Sequence, residues 1–143
     1  MSNLNVQNEF ITITYSPENQ YLKIVWKGEI DAAKMETGYS QALQVFLAQK
    51  VSRCLIDMAD RTVQDPGTEP VITDIFGQLL TIIREPLFVA LILAPEMYFN
   101  ITDHFHYEHL RHDDNHFVII KHFLNQEAGE EWLSTAAATF LNQ

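Results

Sequence analysis

Histidine is concentrated in one short stretch of the sequence and offers nitrogen ligands for a metal ion. Five of the six histidines lie there, among three aspartates: His104, His106, His109, His112 and His116, with Asp103, Asp113 and Asp114. On a continuous helix His109, His112 and His116 would share one face at i, i+3 and i+7, and neutral imidazoles so placed bind Zn²⁺, Ni²⁺ or Cu²⁺. The spacing is not HExxH, and the Asp-Asp-Asn run at 113–115 favours an end to the helix before His116. We therefore favour a polar helix face whose histidines titrate individually, with metal ligation as the alternative and no cofactor expected.

Two carboxylates, Asp57 and Asp60, lie where the strand predicted at residues 51–57 should end. Open α/β sheets bind ligands at the carboxyl ends of their parallel strands, and paired carboxylates suit acid–base chemistry. With Arg61 they could form a polar binding site. The alternative, which we favour, is that Asp57 accepts hydrogen bonds from backbone amides in the following loop.

The sequence contains little that would support nucleophilic catalysis. Cys54 lies in an apolar segment between Arg53 and Leu55, which favours an inert, packed thiol. The sequence contains none of the motifs G-x-S-x-G, G-x-x-x-x-G-K-[ST] and G-x-G-x-x-G, and its five glycines are scattered. We therefore expect a protein that is not an enzyme.

Aromatic side chains crowd the segment at residues 95–111, which is predicted to be helical. Tyr98, Phe99, Phe105 and Tyr107 are more aromatic residues than one inward stripe requires. Tyr98, Phe99 and Phe105 could border a small apolar pocket for a lipid-like ligand, or the group could contact a second subunit in a homodimer. Packing at the edge of the core is the interpretation that we favour, with the homodimer contact next.

Composition limits the class of protein. The 143 residues are 47% hydrophobic and 20% charged, which is typical of one globular domain, here residues 1–143 with a core at about 10–141. A formal net charge of −10 argues against binding to nucleic acid or to an anionic membrane surface. One cysteine, the absence of a signal-peptide pattern and a longest apolar run of only residues 87–94 favour a cytoplasmic protein without membrane insertion.

Hydrophobic periodicity and turn residues predict an alternation of strands and helices. The predicted strands are residues 10–15, 21–27, 51–57, 87–93 and 117–123, and the predicted helices are residues 31–50, 69–84, 95–111 and 126–141. Asp31 and Thr68 are candidate caps. The order ββαβαβαβα indicates an α/β fold in which one mixed sheet, an N-terminal hairpin followed by parallel strands, packs against helices.

Four segments carry a resemblance to a known family: YLKIVWKGEID at 21–31, the strand at 51–57 running into Asp60, LFVALIL at 87–93, and FVIIKHFLNQEAGEEWL at 117–133. Together they resemble the STAS domain, the fold of bacterial anti-sigma-factor antagonists, and in particular its SpoIIAA-like branch. The resemblance spans about residues 11–133. It implies a bacterial, non-enzymatic regulatory domain that acts through a protein partner. The fold is also related to CRAL-TRIO lipid-binding domains, which implies a small-molecule or lipid carrier as the alternative.

The chain departs from that family at the regulatory phosphorylation site. The phosphorylated members have an Asp-Ser pair after the strand, and residues 57–68 here contain none, which puts a phosphorylation switch in doubt. Thr62 or Thr68 could substitute, although a loop residue and a helix cap are the simpler interpretations. The resemblance places the partner surface on the expected loop at residues 57–68 and the start of the next helix, with Asp57, Asp60, Arg61, Thr62 and Thr68 as candidate residues.

Overall fold

Seven strands and two helices are defined in a computed structural model of the protein, which describes residues 4–7, 9–18, 20–63, 87–95, 107–111 and 117–141. The strands are β1 (Leu4–Gln7), β2 (Ile11–Ser16), β3 (Tyr21–Ile30), β4 (Arg53–Val63), β5 (Leu87–Ile92), β6 (Tyr107–Arg111) and β7 (Phe117–Phe123). The helices are α1 (Ala32–Ala48) and α2 (Gln126–Leu141). The helix predicted at 69–84 and its candidate cap Thr68 lie outside the described residues.

The strands form one mixed sheet in the order β1-β2-β3-β4-β5-β7-β6. Strands β1, β2 and β3 are antiparallel to one another in turn. Strands β3, β4, β5 and β7 run parallel, and β6 closes the far edge antiparallel to β7. The predicted fold class, an α/β arrangement of one mixed sheet with an N-terminal hairpin and parallel strands, is confirmed.

Both faces of the sheet are apolar where helices cover them. On one face Leu22, Ile24 and Trp26 alternate along β3 and pack with residues of α1 such as Met35. On the other face residues of β4 and β5 pack with Leu133 of α2. All six residues of β5 are buried, as expected for a strand covered on both faces.

The two helices begin at residues whose side chains satisfy free backbone amides. Asp31 accepts a hydrogen bond of 2.8 Å from the backbone N–H of Lys34, which confirms the predicted cap of α1. Asn125 accepts one of 2.8 Å from the backbone N–H of Ala128 at the start of α2. The prediction did not use Asn125, although an asparagine directly before an apolar helical pattern is a recognised start signal.

The prediction was wrong at two strands near the edges of the sheet. The helix expected at 95–111 is contradicted at its end, because Tyr107–Arg111 form β6 and pair with β7 from Tyr107↔Lys121 to Arg111↔Phe117. Strand β1 was not predicted. Its polar sequence, LNVQ, has little strand pattern, and it forms an edge by pairing with β2. In both cases backbone pairing with a strong strand outweighs a weak local preference.

Strand β4 is longer than predicted. It does not end at Asp57 but continues to Val63, because β3 also continues to Ile30 and pairs with it up to Ile30↔Val63. The register shifts between Val25 and Lys27, so the pairing is interrupted by an irregularity and then resumes. Residues 57–63 are therefore strand and not the predicted loop.

Within the described residues, neither helix combines the length and the apolar composition that crossing a bilayer requires.

Candidate functional site

Asp57 lies in β4 at the point where the neighbouring parallel strand β5 ends, paired in register with Val25 and Ile92. Its Oδ1 accepts a hydrogen bond of 2.9 Å from the backbone N–H of Ala59, and its Oδ2 accepts one of 2.5 Å from Nε2 of Gln126. Asp57 thus accepts a backbone amide, as the favoured interpretation expected, although within a strand. Both carboxylate oxygens are held by groups of the protein itself.

The other candidate residues of this region lie on a two-stranded extension, which we define as residues 27–30 of β3 and residues 60–63 of β4. In register, Lys27 pairs with Asp60, Gly28 with Arg61, and Glu29 with Thr62. The pairs between β4 and β5 run only from Arg53↔Phe88 to Asp57↔Ile92, so the extension projects beyond the last residue of β5. Thr62 is therefore a strand residue and not a loop residue.

The β3 half of the extension is exposed at residues 27–29. Gly28 has a φ of 77°, in the left-handed region that favours glycine, so this position shapes the strand next to the register shift. The extension carries Lys27 and Glu29 on one strand and Asp60 and Arg61 on the other. It therefore brings together, at one end of the sheet, three of the five residues predicted for a partner site. Asp57 lies at its base.

The predicted metal site loses its helical geometry. His109 lies in β6, paired in register with Ile119, so it does not begin a helical face. His112 and His116 lie outside the described residues. In the part of the chain that the structure describes, no group of three or more His, Cys, Asp or Glu side chains could hold a metal ion.

The predicted aromatic pocket cannot be placed, since Tyr98, Phe99 and Phe105 all lie outside the described residues. Tyr107, the fourth aromatic residue of that segment, belongs to β6 and not to a helix.

Cys54 is a buried free thiol in β4. Burial raises the pKa of this thiol far above its ordinary value of 9.0, because the thiolate would lose its hydration. The side chain is therefore a neutral thiol at physiological pH, and the interpretation of Cys54 as a packed, unreactive residue is confirmed.

A cleft that the sequence did not indicate lies at the opposite end of the parallel strands. Tyr21 begins β3, Arg53 begins β4, and the two residues are paired in register. With Glu130, Leu133 and Ser134 of α2 they line a space of about 350 Å³. No spacing in the sequence connects these residues, because α1 separates Tyr21 from Arg53, and β5, β6 and β7 separate Arg53 from Glu130.

The cleft contains two buried polar atoms, one from Tyr21 and one from Arg53. Neither the hydroxyl of Tyr21 nor Nε of Arg53 has a hydrogen-bond partner among the described residues. Burial raises the pKa of Tyr21, and the negative charge of Glu130 and the nearby Cys54 raise it further, so Tyr21 remains a neutral phenol. Glu130 Oε1 lies 4.0 Å from Nζ of Lys23 at the rim. The cleft thus combines a guanidinium group, a neutral hydroxyl donor and a partly exposed carboxylate.

The solved structures similar to this chain include one that matches over nearly its whole length. It is the crystal structure of an uncharacterized protein of the DUF3478 family from Shewanella loihica PV-4, described as having a SpoIIAA-like fold. The two chains share 13% sequence identity with a TM-score of 0.49, and the match covers 92% of each chain. No family model matches the sequence, and no curated protein matches it.

Proposed function

We propose that this chain is a non-enzymatic regulatory domain that acts by binding a protein partner, and that the extension of β3 and β4 is the binding surface. The observation that carries the proposal is that β4 continues from Met58 to Val63 beyond its last pair with β5. Within the described residues, no strand pairs with that side of residues 58–63. An extended partner segment can add to such a strand through backbone hydrogen bonds.

The charges of the extension suit recognition of a protein more than recognition of a nucleic acid. One register pair places a cation opposite an anion, Lys27 with Asp60. Two residues further along, the acidic Glu29 is paired with the polar Thr62. Side chains of both signs set the orientation and the choice of partner, whereas a phosphate backbone requires a basic surface. The net charge of −10 also disfavours nucleic acid.

The two side chains that were the strongest candidates for catalysis have structural roles instead. Asp57 accepts one hydrogen bond from Ala59 within β4 and one from Gln126 that joins β4 to α2. Cys54 is buried with a raised pKa. These roles support a binding function, with the surface presented by a stable sheet.

The test is a double charge reversal on the extension, Asp60→Lys with Arg61→Glu, which leaves the net charge unchanged. The variant and the wild type are used to capture proteins from cells that naturally contain the chain, and captured proteins are quantified by mass spectrometry. We expect a specific partner to be depleted by tenfold or more, on the order of 1.4 kcal/mol of binding free energy, with little change in melting temperature.

A matched control reverses one acid and one base on an exposed part of α1 and its end, Glu36→Lys with Lys50→Glu. This control should capture the partner as the wild type does. Equal capture by the wild type and the Asp60/Arg61 variant would remove the extension as the binding surface.

Native mass spectrometry of untagged protein separates the regulatory proposal from the carrier alternative. We expect a bare homodimer mass, since small domains of this kind commonly self-associate. An additional mass of a few hundred daltons, retained at one copy per chain, would instead favour the carrier.

A further inference from the structure

The cleft at the amino ends of β3 and β4 has the composition of a small-molecule site. Its volume of about 350 Å³ lies within the roughly 300–1,000 Å³ typical of such sites. Tyr21 and Arg53 are register partners on adjacent strands, which are about 4.8 Å apart, so both side chains approach α2 from neighbouring positions. Leu133, almost fully buried, supplies an apolar wall.

Two polar atoms of the lining residues are buried without a described hydrogen-bond partner: Oη of Tyr21 and Nε of Arg53. Buried polar groups in folded proteins nearly always have partners, and each exception calls for an explanation. Both groups are hydrogen-bond donors, since a guanidinium offers only N–H groups and the Tyr21 phenol remains neutral. Both atoms are covered in the unliganded protein, so a ligand with oxygen acceptors would satisfy them once the two side chains turn toward the cleft.

We propose that this cleft binds a small organic anion that carries one carboxylate on a compact apolar body. The carboxylate accepts hydrogen bonds from the Arg53 guanidinium and the Tyr21 hydroxyl, a pairing that planar carboxylates favour. The apolar body packs on Leu133 and the ring of Tyr21. This site is independent of the proposed partner surface, because it lies at the opposite end of the parallel strands.

The position of Glu130 limits the charge of the ligand. Its side chain is about half exposed at the rim, and the ammonium of Lys23 lies 4.0 Å from its Oε1. One negative charge on the ligand is compensated by Arg53. A second one would face Glu130, so inorganic phosphate is disfavoured relative to a monocarboxylate.

The experiment is a titration of the ¹⁵N-labelled protein with benzoate, followed by amide chemical shifts. We expect saturable shifts at Tyr21, Arg53 and Leu133 with a Kd below about 1 mM. Benzamide, which has the same shape without the charge, and inorganic phosphate should each bind at least about tenfold more weakly.

Two variants test the roles of the donors. Arg53→Gln should weaken benzoate binding by more than about tenfold, and Tyr21→Phe should weaken it by about fivefold. Tyr21→Phe also removes a buried hydroxyl without a described partner, so the unliganded variant should melt at the same temperature as the wild type or higher while its affinity falls. A merely structural hydroxyl would not produce these opposite changes.

The proposal is overturned if benzoate gives no saturable shift up to about 10 mM, or if it shifts the wild type and both variants equally. It is also overturned if benzamide binds as tightly as benzoate, because the guanidinium would then have no role in recognition. Charge reversal at Asp60 and Arg61 serves as the folded control and should leave benzoate binding unchanged.

Discussion

Gln126 donates a hydrogen bond of 2.5 Å from its Nε2 to Oδ2 of Asp57, and so joins the first residue of α2 to the point in β4 where the pairing with β5 ends. The other oxygen of Asp57 accepts a hydrogen bond from the backbone N–H of Ala59, just beyond that point. One carboxylate therefore holds the helix against the sheet and shapes the strand that leads into the extension.

Replacing Asp57 with alanine should destabilise the protein by about 1.5–3 kcal/mol, because the amide of Ala59 and the side chain of Gln126 both lose an acceptor. Gln126→Ala should cost about 1 kcal/mol, since only one hydrogen bond is lost. Urea unfolding of the two single variants and the double variant should give a coupling of about 0.5 kcal/mol or more. The control Glu131→Ala, on an exposed part of α2, should remain within about 0.5 kcal/mol of the wild type. Strictly additive effects would show that the two side chains do not interact in solution.

Gly38→Ala should destabilise the protein even though alanine favours a helix by about 1 kcal/mol over glycine. A Cβ at position 38 would lie 2.9 Å from Cδ1 of Ile11 and closer still to the ring of Trp26. That ring has little room to move, because it packs on Tyr39 and Phe10 with centroid distances of 5.1 and 6.2 Å. Overpacking costs about 1–3 kcal/mol and the helical preference of alanine offsets about 1 kcal/mol, so the net loss in thermal or urea unfolding should be up to about 2 kcal/mol.

The exposed helical position Ser40 provides the control for this substitution. Ser40→Ala introduces the same side chain into the same helix away from the core and should stabilise by a few tenths of a kcal/mol. A stabilising effect of Gly38→Ala would mean that α1 can move away from the sheet at low cost.

Stability should fall at alkaline pH because of Cys54. The pKa of its thiol is raised in the folded protein and is ordinary, 9.0, in the unfolded chain. Its contribution is fully present below about pH 9 and is lost as the pH rises further, because the unfolded chain then releases a proton that the folded protein retains. Between about pH 9 and 10 the wild type should lose about 1 kcal/mol more than Cys54→Ala in urea unfolding. Identical pH profiles would show that the thiol ionises equally in both states. Above the ordinary tyrosine pKa of 10.0, the raised pKa values of Tyr15 and Tyr21 add to the decline in both proteins.

Calorimetry with Zn²⁺ should show no binding tighter than tens of micromolar, on the order of −6 to −7 kcal/mol. His109 lies in a strand, so it does not share a helical face with His112 and His116. Tighter, stoichiometric binding that is lost in a His109→Ala, His112→Ala variant would restore the metal-site alternative.

The local pattern of the sequence was sufficient for the elements that carry strong signals. The strand at Phe117–Phe123 and the helix at Gln126–Leu141 agree with their predicted bounds, and the cap at Asp31 begins α1 as expected. These signals are local: strands rich in apolar residues, helical periodicity and a short polar side chain before the first turn. The continuous apolar run of β5 likewise indicated a strand buried on both faces before any neighbour was known.

The positions of the extension and of the cleft became known only from the tertiary structure. Strand β6 depends on backbone pairing with β7, and the continuation of β4 to Val63 depends on backbone pairing with β3. The polar local sequence of these segments does not indicate that pairing. The cleft depends on the parallel register of Tyr21 with Arg53 and on the packing of α2 across them. Periodicity and caps are properties of a few consecutive residues. Strand register and the approach of a helix are instead set by the free energy of the whole packed sheet, so residues remote in the sequence become neighbours only when the chain folds.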